Sequence, residues 1–197
     1  MNKVFAAATE LQHFCERQQW KFCFIGGVAV QRWGKPRFTA DADLTLLTGF
    51  RGEEKFASAL LKKFVPRRAD ALEFALTRRV LLLQTAGGVP LDIAFGGLPF
   101  EENSIRRASA FVLPAGKSLT TCSAEDLIVH KVFAARDIDW FDVDGVLARQ
   151  FKKLDFDLVR RELKPLLELQ EQPDKLERLE QKIREHDRPF TTIPPPK

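Results

Sequence analysis

The sequence predicts an α/β fold: a small mixed β-sheet backed by helices over residues 1–120, a helical region over 121–188, and a flexible tail over 189–197. Three observations predict it. An apolar run, Phe22 to Ile25, stops at Gly26-Gly27, where a short helical pattern begins and leads through a basic connector into a second apolar stretch ending near Leu47. Two further apolar runs, from Arg79 and from Val89, are joined by Gly87-Gly88, a hairpin signal. From Ser123 onward the apolar spacing is helical.

With 197 residues, 45% hydrophobic and 29% charged, the chain is long enough for one domain, or a core with a helical appendage, around a substantial interior. No run approaches the roughly 20 apolar residues of a membrane helix, so no membrane partner is expected. Glu10 comes too early for a secretory apolar region, and three cysteines without metal-type spacing (Cys15, Cys23, Cys122) point to reduced thiols. A cytoplasmic location follows. The net charge of +4 sits mostly in residues 1–110, which is compatible with a nucleic-acid acceptor.

Taken in order, residues 3–18 space Val4, Phe5, Ala8, Leu11, Phe14 and Cys15 as one helix face, leaving His13 and Glu16 on the surface. Lys21 to Ile25 is the first strand. The helix after Gly26-Gly27 carries Val28, Val30 and Trp33 and ends at Gly34. Lys35-Pro36-Arg37 then leads into Thr39-Ala-Asp41-Ala-Asp43-Leu-Thr-Leu-Leu, read as a strand. Strand alternation points Asp41 and Asp43 the same way and Ala42 and Leu44 inward. Two such carboxylates repel each other and lose solvation unless a cation sits between them. Hard oxygen ligands of this kind suit Mg²⁺, which readily shares itself with substrate phosphates. The Gly26-Gly27 turn offers backbone N–H groups to an anion. Alone, an Asp-x-Asp reads as a solvated strand end; the combination within one stretch is what carries chemistry.

Gly49 to Gly52 forms a turn, and Glu53 to Val65 is an amphipathic helix stopped by Pro66. Residues 69–77 fit a helical turn or a strand. In the second run of the hairpin, Leu91, Ile93 and Phe95 alternate with Asp92, which needs a partner or an outlet to water; Pro90 allows an edge strand with Asp92 facing solvent. Residues 99–107 read as a short polar helix whose Arg106-Arg107 is a phosphate contact or plain surface, and Phe111-Val-Leu-Pro as a short strand. Ser123 caps a helix carrying Leu127, Ile128, Val132 and Phe133. On it Lys131 reads first as a lysine snorkelling from the core edge, and His130 as a packing residue. Residues 156–169 and 174–187 are two further helices. Pro165 disturbs the first, whose inward face takes Leu158, Leu163, Leu166, Leu167 and Leu169.

The strand, Gly26-Gly27, helix, basic connector and Thr39-Ala-Asp41-Ala-Asp43-Leu together resemble the signature of the nucleotidyltransferase superfamily built like DNA polymerase beta. Asp92 on a following strand is similar to that superfamily's third carboxylate. Lys131-Val-Phe-Ala-Ala-Arg136-Asp-Ile-Asp139-Trp-Phe-Asp142 resembles the AbiEii-type branch of minimal nucleotidyltransferases, known as the toxin half of some bacterial toxin–antitoxin pairs. The resemblance spans roughly residues 20–145. It implies that Asp41, Asp43 and Asp92 hold two Mg²⁺ ions about 3.5–4 Å apart, with Asp92 also the base for the attacking hydroxyl. It implies that Gly26, Gly27 and Lys131 bind the triphosphate of an NTP, that Arg37, Thr39 and Asp139 complete the nucleotide-binding set, and that one of Asp139 and Asp142 caps a helix while the other orients Lys131. The product would be a nucleoside monophosphate on an RNA end (tRNA-like) or a protein hydroxyl, with an antitoxin protein as partner. The family often has Gly-Ser where this chain has Gly26-Gly27, which removes one hydroxyl and leaves the amides. A non-catalytic transferase-like module that binds RNA or protein, and transfer to a small molecule, are the competing readings.

Overall fold

A computed structural model describes residues 3–114 and 116–187; the tail expected at 189–197 lies outside them. The elements in chain order are α1 (Lys3–Arg17), β1 (Phe22–Phe24), α2 (Gly26–Trp33), β2 (Ala42–Leu47), α3 (Glu53–Leu61), β3 (Val65–Pro66), α4 (Ala71–Arg78), β4 (Val80–Gln84), β5 (Pro90–Gly96), α5 (Pro99–Arg107), β6 (Ser109–Val112), β7 (Ser118–Thr121), α6 (Ala124–Ala134), α7 (Asp137–Gln150), α8 (Phe156–Gln170) and α9 (Asp174–Asp187).

The strands form one mixed sheet in the order β3-β4-β5-β2-β1-β7-β6. β2 runs antiparallel to β1 and parallel to β5, and β4–β5 is the antiparallel hairpin expected at Gly87-Gly88. Because side chains alternate along a strand, the sheet has two different faces. Phe24, Leu44, Leu46, Leu91 and Ile93 face a core built with α1, α3 and α4. Cys23 faces the other way, into a second core of α2 and α6 to α9 that includes Val30, Leu127, Val143 and Leu163. Each fully buried leucine in these cores contributes about 1.5–3 kcal/mol. Asp43 and Asp92 alternate with the buried Leu44 and Ile93, so they stand on the α2/α6 side.

Several local expectations change. Asp41 lies between a bend at Ala40 and the start of β2, and not in the strand. The third helix ends at Leu61, because Pro66 disfavours helical geometry at Val65 and these two residues pair with β4 instead. Residues 71–78 are helical, and the chain turns out of α4 at Arg79, whose φ is +57° and whose N–H bonds Ala75 O. β7 has no counterpart in the sequence reading; it inserts between β1 and β6. The helix around Pro165 is continuous, since that residue is exposed and the Arg161 carbonyl it leaves unpaired belongs to another exposed residue. Leu169 is 74% exposed, on the opposite side of α8 from Leu163, Leu166 and Leu167. No helix among the described residues is long and apolar enough to cross a membrane.

Candidate metal centre and nucleotide cavity

Sheet register fixes two of the three aspartates. Asp43 on β2 lies directly opposite Asp92 on β5 in a parallel pair. Asp41 reaches them from just ahead of β2, and one carboxylate oxygen from each of the three comes within 4.8 Å of the others. Such crowding shows in their protonation. Burial, then Asp41, then Asp92 push the Asp43 carboxyl up to about 6, although the Gly27 amide and Lys131 pull it back. Asp92 is raised by burial and by Asp41 against the opposing pull of Arg67, with which it forms an ion pair. Three hard oxygen donors that disfavour one another's charge, with Arg67 paired to one of them, fit a divalent cation.

The glycine turn is shaped around these acids. Gly26 has φ +53°, and a Cβ there would lie 1.9 Å from Asp43 Oδ2. A Cβ on Gly27 would lie 2.1 Å from Thr39 Oγ1. The Gly27 N–H points at Asp43 Oδ2 over 3.4 Å, and the N-terminus of α2 has no side-chain cap. Thr39 Oγ1 donates to Asp41 Oδ1 at 2.9 Å.

A cavity of about 460 Å³ opens on this cluster; its walls include Gly26, Gly27, Arg37, Thr39, the three aspartates, Lys131, Arg136 and Asp139, with Phe133 and Ile138 as apolar patches. The C-terminal end of α6 and the start of α7 form the wall facing the acids. Lys131 is buried, and its Nζ lies 2.8 Å from both Asp139 and Asp142. Asp139 also accepts from the Arg136 backbone N–H, capping α7, and from Arg136 Nε at 2.6 Å. Asp142 accepts a two-pronged bond from Arg37, 2.7 Å on each side. One aspartate therefore caps the helix while both hold Lys131. Burial raises both carboxyls, but for Asp139 the bonds from Arg136 and Lys131, and for Asp142 those from Arg37 and Lys131, outweigh it and hold them below the usual range. Three cations on two carboxylates leave one net positive charge on this wall, and Arg136 is its exposed member, with 71% of its side chain open.

His130 packs edge-on against Phe100 and is kept neutral, its pKa pushed down to about 4 by burial. Arg107 is committed to Asp126 and Glu162, far from phosphate work. Sequence reasoning missed Arg67 and the exposed Arg136. An Arg-Arg pair after a proline carries no signal that distinguishes it from surface, whereas Arg136 sits in the very stretch quoted for the lysine.

No protein-family model matches the chain, and no curated protein does. Solved structures do. An antigenic nucleotidyltransferase-like protein from Paracoccidioides brasiliensis superposes with a TM-score of 0.54 at 16% identity, over 90% of this chain and 91% of that one. The lincosamide antibiotic adenylyltransferase LnuA, solved with lincomycin, gives 0.49 at 13% identity over 74% of this chain and 96% of its own. The antibiotic-resistance factor ANT(2'')-Ia gives 0.46 at 17%, over 94% of each. The first of these likenesses defines the class of fold: a mixed sheet with flanking helices of the nucleotidyltransferase-like kind.

Proposed function

We propose that the protein is a metal-dependent nucleotidyltransferase that moves a nucleoside monophosphate from an NTP to an acceptor hydroxyl, breaking the bond between the α- and β-phosphates and releasing pyrophosphate. The observation that carries this reading is the convergence of Asp41, Asp43 and Asp92 beside a glycine turn, across one cavity from a wall of net positive charge. The three aspartates would hold Mg²⁺, two ions in this reading; bound there, the metal supplies neutralisation of phosphate charge and a lower pKa for the acceptor hydroxyl. The chain's own groups do the rest. The amides of Gly26 and Gly27 and the N-terminus of α2 bind phosphate oxygens. Arg136 meets the triphosphate from the opposite wall, and Lys131 and Arg37 hold that wall in place through Asp139 and Asp142. Phe133 and Ile138 exclude water beside the phosphates. Asp92, the carboxylate paired with Arg67, takes the proton of the acceptor hydroxyl.

The acceptor in this reading is an RNA end of tRNA type, supported by the net charge of +4 concentrated in the first 110 residues; a protein hydroxyl is the alternative. The AbiEii-type role, the toxin of a toxin–antitoxin pair, follows from the resemblance in the sequence. Incubating the protein with each α-labelled NTP, Mg²⁺ and either total RNA or cell protein tests the chemistry. The expected result is label on one macromolecular class, lost with Asp43→Asn; no labelled product with any NTP and any acceptor overturns it. Growth arrest on expression of wild type, absent with Asp43→Asn, tests the toxin role.

A further inference from the structure

The three carboxylates are not held by the same means. Asp43 and Asp92 are fixed by the β2–β5 register, where each backbone is locked into the ladder. Asp41 precedes the strand and has no such lock. Among the described residues the hydrogen-bond donor to its carboxylate is one hydroxyl: Thr39 Oγ1 donates to Asp41 Oδ1 at 2.9 Å and sits 3.4 Å from the Asp41 carbonyl oxygen. That hydroxyl is itself seated. It occupies the place a side chain at position 27 would fill, 2.1 Å from where a Gly27 Cβ would be, and Thr39 is buried.

We propose that Thr39 is a positioning residue for the metal centre, aiming Asp41 at the cation, and that the lack of a side chain at Gly27 provides the seat for its hydroxyl. The proposal rests on the reading of the three aspartates as metal ligands. A hydroxyl has one proton to give, and here it goes to a carboxylate oxygen; the carboxylate keeps its other oxygen for a cation. Partners of this kind fix ligand orientation and typically matter by about 10–100-fold in metal affinity. The glycine turn then has two separate uses. Gly26 makes room for Asp43 itself, and Gly27 makes room for the group that steers Asp41.

The test is Mn²⁺ binding followed by electron paramagnetic resonance on the full chain without nucleotide. Thr39→Val keeps the shape and removes the bond; affinity is expected to fall by about 10-fold or more, with melting in EDTA unchanged. Thr39→Ser keeps the hydroxyl and is expected to bind within about twofold of wild type. Gly27→Ala drives a methyl into the Thr39 hydroxyl, so it is expected to weaken Mn²⁺ binding and to melt lower in EDTA, while Gly27→Ala/Thr39→Ala regains the melting temperature without the affinity. Wild-type affinity in Thr39→Val, or an equal loss in Thr39→Ser, overturns the proposal while leaving the three-aspartate site standing. Wild-type protein that binds Mn²⁺ no better than Asp43→Asn overturns both. A double variant that melts no higher than Gly27→Ala overturns the seat.

Discussion

Replacing Lys131 by methionine removes a buried cation and keeps most of its apolar stem. In the folded protein its ammonium sits 2.8 Å from each of two carboxylates that are themselves buried, Asp139 and Asp142. Removing one partner of a buried pair costs about 3–5 kcal/mol when the other charge is left alone. Here neither is: Asp139 keeps Arg136 and Asp142 keeps both prongs of Arg37. The expected loss is therefore smaller, about 2–3 kcal/mol at pH 7, or about 4–12 °C in melting temperature for a chain of this size. The pH dependence has a definite sign. Both carboxyls are held below their ordinary range, so they contribute stability that is present above the unfolded value near 3.9 and lost as pH falls through their folded values. Without Lys131 those values rise. The gap between wild type and Lys131→Met is thus full at pH 7 and narrows below about pH 4 as the carboxylates protonate. Urea unfolding followed by circular dichroism in EDTA measures it. A variant within 0.5 kcal/mol of wild type at pH 7, or a gap that widens on acidification, would refute the argument.

Three further outcomes are expected. Asp43, raised to about 6, favours the folded state when protonated, while the buried neutral His130, held at about 4, opposes it over the same range, so the stability of metal-free wild type relative to Asp43→Asn rises as pH falls from 7 towards 4, and Mn²⁺ affinity declines as pH falls through about 6. Thermal melts and titrations over that range check both, and an unchanged slope in the variant would count against the raised value. Arg67→Met removes the internal cation paired with Asp92, so Mn²⁺ binding at low salt should tighten several-fold in calorimetric titration; weaker binding would show that Arg67 does not compete with the metal. Gly145→Ala places a methyl 2.9 Å from the Lys35 backbone nitrogen and should cost about 1–3 kcal/mol, with weaker Mn²⁺ binding as the connector shifts; a neutral melt refutes the close approach.

What could be read from the sequence was local. Strand alternation and the two Gly-Gly turns located Asp41, Asp43 and Asp92, and the structure brings them together because β2 and β5 pair in parallel with Asp43 and Asp92 level. The position of Asp41 ahead of the strand escaped that reading, since the seating of Thr39 against Gly27 joins residues twelve apart, which no periodicity encodes. Lys131 was visible as a residue but not its surroundings. The bridge to Asp142 joins two helices, and its other partner, Arg37, comes from 105 positions earlier. β7 escaped because Ser118–Thr121 has only one apolar residue, and its backbone pairing on both sides holds it in the sheet. Long-range ion pairs and polar strands are set by tertiary context, which a window of neighbouring residues does not contain.

The connector that carries Thr39 and Asp41 is splinted by a single face of α7. Asp142 grips Arg37, Gly145 lets the chain pass at Lys35, and Arg149 bonds the carbonyls of Arg32 and Gly34. These positions, three and four apart, lie along one stripe of the helix. The connector that leads to Asp41 is thus supported by a helix made about 100 residues later. On a ribosome the sheet strands β1, β2 and β5 emerge first, with their acids in place but their connector unsupported. In the proposed reaction that connector would therefore gain its support only once α7 has folded against it, after the strands that carry Asp43 and Asp92 are made.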